Sequence, residues 1–262
     1  MDPLQAYMIW QGEKSAPRNQ NPLRLGQYGY KSFSQSDEDG IIQEIFFRIG
    51  TGDKTFVEFG VETGLECNTA LLLMQGWSGL WIEGDEKSCS KIKSTHKPFV
   101  DDARLSIENA HVDRDNINQI ISGRYAGGEI DLLSIDIDSN DYWIWSAIDC
   151  VSPRVVIVEY NASWPPSATI TVPYDPNARW NGTNLFGASL GALAKLSDHK
   201  GYKLVGCSLS GVNAFFVRDD LVEDKFFAPG SPREHYEPPR YCLAKMPAGH
   251  PPMIGPVVDV GR

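Results

Sequence analysis

The feature that most constrains the fold of this chain is a regular alternation of short apolar runs with segments of helical periodicity. Near-continuous apolar runs are typical of strands that have helices on both faces, and the alternation predicts right-handed βαβ units in a parallel sheet. The runs read as strands at 55–60, 78–84, 103–110, 130–138 and 154–161. The helices between them are expected near 66–75, 86–94, 114–123 and 140–149.

The pattern changes at its C-terminal end. A helix with a glycine stop is predicted over 185–201, and two further strand-like runs, YKLVGCSL and NAFFVRDD, are separated only by SGV. So short a link cannot cross over a sheet, so these two strands must form an antiparallel hairpin. The predicted fold class is therefore α/β: a Rossmann-like, doubly wound, mostly parallel seven-stranded sheet with a terminal antiparallel hairpin.

The flanking segments differ in composition from this alternating region. Residues 1–30 are rich in Pro, Gln, Asn and Gly without a clear period, which predicts an irregular N-terminal arm. A helix with Ile41, Ile45 and Ile49 at helical spacing opens the domain proper, which we place at 31–227. Residues 228–262 are Pro-rich and are expected to form a tail packed on the domain.

Composition limits the partners. Among the 262 residues 42% are hydrophobic and 22% charged, and the formal net charge is −10, which argues against nucleic acid as the main partner because phosphate backbones need a basic face. We expect no membrane partner either, since no apolar run approaches roughly 18 residues. The start of the chain lacks a secretory pattern and the five cysteines are scattered, so a cytoplasmic protein is expected.

Polar or acidic residues follow each of the five predicted parallel strands. Ligands of open parallel sheets bind beyond the carboxyl ends of the strands. Polar or acidic residues at all five of these ends therefore predict a binding site there. Structural roles remain open for individual members, because Asp and Asn also cap helices and a carboxylate can be paired. The residues at these ends are Glu58, Glu83, Asn109, Asp136, Asp138, Glu159 and Asn161.

The turn after the first strand reads Gly60-Val-Glu-Thr-Gly64. It lacks the third glycine of a dinucleotide-binding turn, and the carboxylate of Glu62 would repel a pyrophosphate. Glu83 lies at the end of the second strand, about 20 residues further on, where a carboxylate can accept both hydroxyls of a ribose. An acidic glycine turn therefore favours a positively charged adenosine ligand, as S-adenosylmethionine is.

The segments FSQSDEDGII, FVEFGVETGLECNT, LLSIDIDSNDYWIW and NAFFV resemble those of class I S-adenosylmethionine-dependent methyltransferases, in particular FkbM-like enzymes that methylate hydroxyls of sugars and natural products. The resemblance covers roughly residues 32–220. It implies that Glu58, Gly60 and Gly64 hold the methionine part and that Glu83 binds the ribose. The other cofactor-binding residues that the resemblance implies are Gln35, Glu62, Asn68, Thr69, Gly84, Asn109, Ala110 and Asp136.

A hydroxyl acceptor is a poor nucleophile, and a base or a metal ion must remove its proton. The oxygen ligands Asp136, Asp138, Glu159 and Asn161 follow two neighbouring strands and would suit Mg²⁺, Mn²⁺ or Ca²⁺. In the alternative, Asp136 contacts the cofactor and Glu159 braces a loop. If no metal is used, Asp136, Glu159 and His111 are the catalytic candidates, with His199 as a further candidate base.

Residues 162–189 interrupt the alternation directly after the strand that carries Glu159. Loops of this length in compact domains are usually functional, so the segment is predicted to be a lid over the acceptor. Its aromatic residues would either stack on a sugar or aromatic acceptor or pack the loop down. They are Trp164, Tyr174, Trp180 and Phe186.

The first functional hypothesis is an S-adenosylmethionine-dependent O-methyltransferase acting on a small hydroxylated, sugar-like acceptor. The alternatives are an NAD-dependent oxidoreductase, disfavoured by the glycine turn and the terminal hairpin, and a non-catalytic nucleoside-binding module. A module of that kind would be expected to lose the acidic ends of the fourth and fifth strands, which are present. The sequence leaves a homo-oligomer open.

Overall fold

The computed structural model describes residues 2–227, 231–244 and 249–261. The predicted strands all form, each within a few residues of its expected bounds, and a further short pair appears outside the alternating region. The strands are β1 Thr55–Phe59, β2 Ser78–Glu83, β3 Leu105–Asn109, β4 Glu129–Ile135, β5 Ser152–Glu159, β6 Ile170–Thr171, β7 Tyr202–Cys207, β8 Asn213–Arg218 and β9 Val258–Asp259.

The main sheet has seven strands in the order β3-β2-β1-β4-β5-β8-β7. The first five are parallel, whereas β8 pairs antiparallel with both β5 and β7. The strand order reverses beside β1, where β1 and β4 are neighbours, and ligands of open sheets bind at such a switch point. The predicted Rossmann-like, doubly wound fold with its terminal hairpin is confirmed.

Helices cover both faces of the sheet. Successive residues of β1 supply the two cores: Val57 packs with Leu80 on one face, and Phe56 packs with Trp81 on the other. This explains the unbroken apolar runs of the central strands, because a strand covered on both sides has no solvent face. The helices are α1 Pro3–Lys14, α2 Glu38–Ile49, α3 Ala70–Met74, α4 Glu86–Thr95, α5 Lys97–Asp101, α6 Ile117–Arg124, α7 Asp141–Ala147, α8 Leu190–Lys200 and α9 Asp219–Val222.

The N-terminal segment is more regular than expected. Residues 3–14 form α1, where an irregular arm was predicted, with Asp2 accepting a hydrogen bond from the backbone N of Leu4. Leu4, Tyr7 and Met8 remain exposed. The helix escaped detection because it has no continuous apolar stripe, although an Asp directly before a Pro is a recognised helix-start signal.

The C-terminal segment contacts the insertion that precedes α8. The β6–β9 pair joins residues 170–171 to residues 258–259, and the hydroxyl of Tyr236 donates to the backbone O of Ala162 at 2.6 Å. Parts of the predicted tail, 228–230, 245–248 and 262, lie outside the described residues. Of the helices that the structure describes, none has the length and apolarity needed to cross a bilayer.

Candidate active site

A cavity of about 480 Å³ lies at the carboxyl ends of β1, β2, β4 and β5. This volume falls in the range of small-molecule sites. The structure brings together most of the residues predicted from sequence: Gln35, Glu58, Gly60, Glu62, Asn68, Glu83, Gly84, Ala110, His111, Asp136, Asp138 and Glu159 line it. Among the other candidates, Gly64, Thr69, Asn109, Asn161 and His199 do not.

Gly60 allows the ends of the two central strands, β1 and β4, to lie close together. Its φ is +72°, and a Cβ at this position would lie 1.7 Å from the carbonyl oxygen of Asp136. Only glycine accepts both this backbone conformation and this approach. The end of β1 therefore lies directly against the end of β4 at the floor of the cavity.

Glu58 fixes the turn that leads into α3. Its Oε1 accepts a hydrogen bond from the backbone N of Asn68 at 2.8 Å, and its Oε2 accepts from the backbone N of Thr69 at 3.0 Å and from the Thr69 hydroxyl at 2.5 Å. Burial raises the pKa of Glu58, and these hydrogen bonds oppose the shift. Because its oxygens are already engaged, Glu58 shapes the cavity wall rather than offering a free carboxylate.

Glu83 is held differently, at the end of β2. Its Oε2 accepts from the backbone N of Glu62 at 2.8 Å, and its Oε1 accepts from the backbone N of Asp85 at 2.8 Å. Each oxygen keeps a lone pair for a ligand, because a carboxylate oxygen accepts two hydrogen bonds. The carboxylate is thus fixed in place by the glycine turn and still able to accept from a diol.

Two predicted cofactor residues lie behind the cavity wall. Gly64 has a φ of +72°, and a Cβ there would lie 2.9 Å from the ring of Trp81, so this glycine serves the packing of the turn. The side-chain amide of Asn109 donates to the backbone O of Glu83 at 2.9 Å. Asn109 therefore supports the end of β2, and neighbouring Ala110 faces the cavity instead.

The acidic run at the start of α2 is buried rather than solvated. The Oδ2 of Asp39 accepts from the backbone N of Ser32, Phe33 and Ser34 at 2.6–2.8 Å. Burial and the charge of Glu38 raise the pKa of Asp37 to about 7. These side chains fold the loop that carries Gln35, which reaches the cavity.

Three carboxylates converge at the ends of β4 and β5. One oxygen of each of Asp136, Asp138 and Glu159 lies within 4.8 Å of the others. Burial first, and then the charge of Asp138, holds the pKa of Asp136 well above its usual range; burial and the charge of Asp136 do the same to Glu159. Repelling carboxylates of this kind are relieved by a proton or by a cation.

The strand that supplies two of these carboxylates is shorter than predicted. β4 ends at Ile135, and the backbone N of Ile137 donates to Oδ1 of Asp141 at 2.9 Å, which turns the chain into α7. Asp138 adopts a φ of +60° in this turn. This conformation is costly for residues other than glycine and is often found at functional sites.

Asn161 does not join the carboxylate cluster. Its side-chain amide donates to the backbone O of Asn184 at 2.8 Å and of Phe186 at 2.9 Å, and its Oδ1 accepts from the backbone N of Ser163. The side chain is fully buried and braces the insertion. The candidate metal ligands are therefore three carboxylates, without the predicted amide.

The insertion at 162–189 contributes one of its four aromatic residues to the cavity. Trp180 lines it together with Arg179, whose guanidinium lies 3.4 Å from Nδ1 of His111. Phe186 is buried, and the ring of Tyr174 packs 4.3 Å from the guanidinium of Arg114. Phe186 and Tyr174 therefore pack the segment down, whereas stacking of Trp180 on an acceptor stays a prediction.

The sequence analysis missed several cavity residues, and two of them form an aromatic pair. Tyr241 and His250 come from the C-terminal segment and line the cavity on the side of Glu159 and Trp180. Their rings stack at 4.5 Å with an interplanar angle of 16°. The Pro-rich surroundings gave no periodic signal, and only the presence of aromatic residues in a long polar tail hinted at a role.

No protein-family model matches this sequence, and a search of curated proteins gave no significant match. Solved structures with a similar fold include a magnesium protoporphyrin IX methyltransferase from Synechocystis with bound S-adenosylmethionine, at 11% identity over 83% of this chain and 98% of that one, with a TM-score of 0.46. An O-methyltransferase from Bacillus cereus with S-adenosylhomocysteine has 14% identity over 81% and 87%, with a TM-score of 0.46.

The N-terminal domain of EvdMO1 with bound S-adenosylhomocysteine is also similar, at 13% identity over 83% of this chain and 95% of that one, with a TM-score of 0.44. Similarity at this level concerns the fold. The function of this chain must therefore be inferred from the residues of its own cavity.

Proposed function

We propose that this protein is an S-adenosylmethionine-dependent O-methyltransferase that acts on a hydroxyl of a small acceptor, a sugar or a glycosylated natural product. One observation carries the proposal: a single cavity holds the fixed carboxylate of Glu83 at one end and the cluster of Asp136, Asp138 and Glu159 at the other. β2 and β4 are two strand spacings apart, about 10 Å. A nucleoside has room between a group that accepts its ribose and a group that activates an acceptor.

The residues present fit the cofactor. Glu83 would accept from the ribose diol, Ala110 and His111 would border the base, and Gly60 and Gln35 would hold the methionine part. All five residues line the cavity. The negative charge of the cavity favours a ligand that carries a sulfonium and an ammonium group. When bound, S-adenosylmethionine supplies an electrophilic methyl group for the acceptor oxygen.

A dinucleotide fits less well. Dinucleotide-binding folds place the pyrophosphate on free backbone N–H groups at the start of the helix after β1. Here the backbone N atoms of Asn68 and Thr69 already donate to the buried carboxylate of Glu58. A pyrophosphate would have to displace that carboxylate, which disfavours the oxidoreductase alternative.

The acidic cluster supports a catalytic protein over a binding module. Asp136 and Glu159 have raised pKa values because they are buried beside other carboxylates, and a carboxylate with a raised pKa is a stronger base. A divalent cation such as Mg²⁺, held by Asp136, Asp138 and Glu159, would lower the pKa of an acceptor hydroxyl instead. In either form the cluster orients an acceptor and removes its proton.

We expect S-adenosylhomocysteine and S-adenosylmethionine to bind with micromolar-range affinity and NAD not to bind, as measured by titration calorimetry. Glu83→Gln should weaken S-adenosylhomocysteine binding by about 1.5–3 kcal/mol, the worth of hydrogen bonds to a charged group. Glu108→Gln is the matched control, because Glu108 is an exposed carboxylate on neighbouring β3 that does not line the cavity.

Binding of NAD without any response to S-adenosylhomocysteine would contradict the methyltransferase proposal. Equal loss of affinity in Glu83→Gln and Glu108→Gln would place the ribose elsewhere. Thermal melting of both variants separates a lost contact from a lost fold, because Glu83 also accepts hydrogen bonds from the backbone N of Glu62 and Asp85.

A further inference from the structure

One wall of the cavity carries polar atoms without hydrogen-bond partners. Oε2 of Glu159, Oη of Tyr241 and both ring nitrogens of His250 are buried, and none has a hydrogen bond of normal length and angle within the described part of the chain. The Ser163 side chain lies near Oη of Tyr241 without meeting these limits. All three residues line the same cavity. A buried polar atom left unpaired costs about 1–3 kcal/mol, so several of them converging on one space indicate a polar ligand.

The same wall is aromatic. The ring of His250 stacks on Tyr241 at 4.5 Å and lies 4.9 Å from the ring of Trp180. Phe186, 5.4 Å from the imidazole, supports it from behind and is itself buried. Flat faces next to unpaired polar atoms form the pattern expected for a ligand that is apolar on its ring faces and polar around its edge.

The protonation states match this pattern. Burial lowers the pKa of His250, so its imidazole is neutral near pH 7 and offers one donor and one acceptor. Burial raises the pKa of Tyr241, the Ser163 side chain opposes the shift, and the charge of Glu159 adds to it. The phenol of Tyr241 therefore keeps its proton, and its hydroxyl lies close enough to the Glu159 carboxylate for that charge to affect its pKa.

We propose that Tyr241, His250, Trp180 and Glu159 form the acceptor subsite and that it binds the ring of a polyhydroxylated sugar. This subsite proposal rests on the proposed function in one respect only: it takes the bound sugar to be the acceptor of the methyl group. The C–H face of the sugar would pack on the aromatic side chains, and its hydroxyls would pair with the imidazole, the phenol and the carboxylate. A flat aromatic acceptor could stack equally well but would leave most of these polar atoms unpaired.

The test uses the full chain and saturation-transfer difference NMR, which detects millimolar binders. The probes are methyl α-D-glucopyranoside, methyl α-D-mannopyranoside and methyl α-L-rhamnopyranoside, with phenol as the aromatic comparison, each with and without S-adenosylhomocysteine. Tyr241→Phe keeps the ring and removes the hydroxyl, and His250→Ala removes ring and nitrogens. Ile254→Ala is the control, because that side chain lies in the same segment and is fully exposed.

We expect at least one glycoside to receive saturation and to bind better than phenol. Its affinity should fall about threefold to tenfold in Tyr241→Phe and in His250→Ala, as one lost hydrogen bond predicts, and not in Ile254→Ala. Affinity for S-adenosylhomocysteine should stay unchanged in all three variants. That pattern would distinguish an acceptor subsite from a general loosening of the fold.

Saturation of phenol but of no glycoside would overturn the proposal, and so would equal glycoside binding by the wild type and both cavity variants. Thermal melting identifies a variant that fails to fold, and Tyr241→Phe, which keeps the packed ring, then carries the test. The cofactor proposal fails on a different readout: a wild type that binds a glycoside but not S-adenosylhomocysteine would refute the methyltransferase assignment and leave the sugar subsite standing.

Discussion

Gly60→Ala should destabilise the protein by about 2–5 kcal/mol and abolish binding of S-adenosylhomocysteine. The estimate combines about 1–2 kcal/mol for a side chain at positive φ with about 1–3 kcal/mol for overpacking. The new Cβ would lie 1.7 Å from the carbonyl oxygen of Asp136, so the ends of β1 and β4 must separate. Urea unfolding measures the stability, and titration calorimetry measures the binding.

Gly76→Ala is the matched control for this substitution. Gly76 has a φ of +90°, but a Cβ there would meet nothing within 4 Å. It should therefore lose only the conformational part, about 1–2 kcal/mol, and keep its ligand affinity. If the two variants lose the same stability, the close approach of Gly60 to β4 contributes nothing and the described floor of the cavity is incorrect.

In the presence of a chelator, the free energy of unfolding should fall as the pH rises from about 5 to about 8. The pKa values of Asp136, Asp138 and Glu159 are raised in the folded protein, first by burial, and that of Asp141 is raised to about 7. The folded state therefore retains protons that the unfolded chain has already released, so stability is greatest near the ordinary carboxyl pKa and is lost through the raised one. Asp138 contributes less than Asp136 and Glu159, because its pKa is raised less than theirs.

Mn²⁺ or Mg²⁺ should restore the stability at about pH 8 and have little effect at about pH 5, where protons occupy the carboxylates. Asp136→Asn should flatten the pH profile and weaken Mn²⁺ binding by at least about tenfold, the scale found even for residues behind metal ligands. Asp115→Asn, at an exposed carboxylate outside the cavity, is the control. Electron paramagnetic resonance of free Mn²⁺ measures the affinity directly.

Undiminished Mn²⁺ binding in Asp136→Asn would remove the three-carboxylate cluster as the cation site. If the wild-type protein binds no divalent cation at about pH 8 and its stability still falls with pH, Asp136 or Glu159 is left as the group that takes the acceptor proton. Both results would preserve the cofactor half of the cavity, since Glu83 lies at the end of β2, two strands away.

The sequence predicted the fold well because the relevant signals are local. Apolar runs such as that of β5 are buried on both faces, and the three residues between the last two strand-like runs could only connect a hairpin. The ends of the strands were predictable for the same reason, since Glu83 and Asp136 directly follow apolar runs. The prediction that they share one cavity came from the rule that ligands bind at the carboxyl ends of parallel strands, which requires no knowledge of side-chain contacts.

Side-chain roles were harder to predict. Nothing in the sequence around Glu58 indicates that its oxygens are taken up by the backbone of Asn68 and Thr69, or that Asn161 is turned towards the insertion. Tyr241 and His250 could not be found, because some 80–90 residues separate them from Glu159 and no periodic pattern connects them. A contact between irregular segments that are far apart in the chain produces no local sequence pattern from which it could be predicted.

The pairing of β6 with β9 can form only after the C-terminal segment has been synthesised. The ribosome releases the floor of the cavity, from Glu58 to Asp138, before the wall of Tyr241 and His250. That wall belongs to a segment whose strand at residues 258–259 pairs with the insertion. Domains begin to fold as the chain emerges. A nascent chain can therefore fold the proposed cofactor half of the cavity before the proposed acceptor subsite is complete.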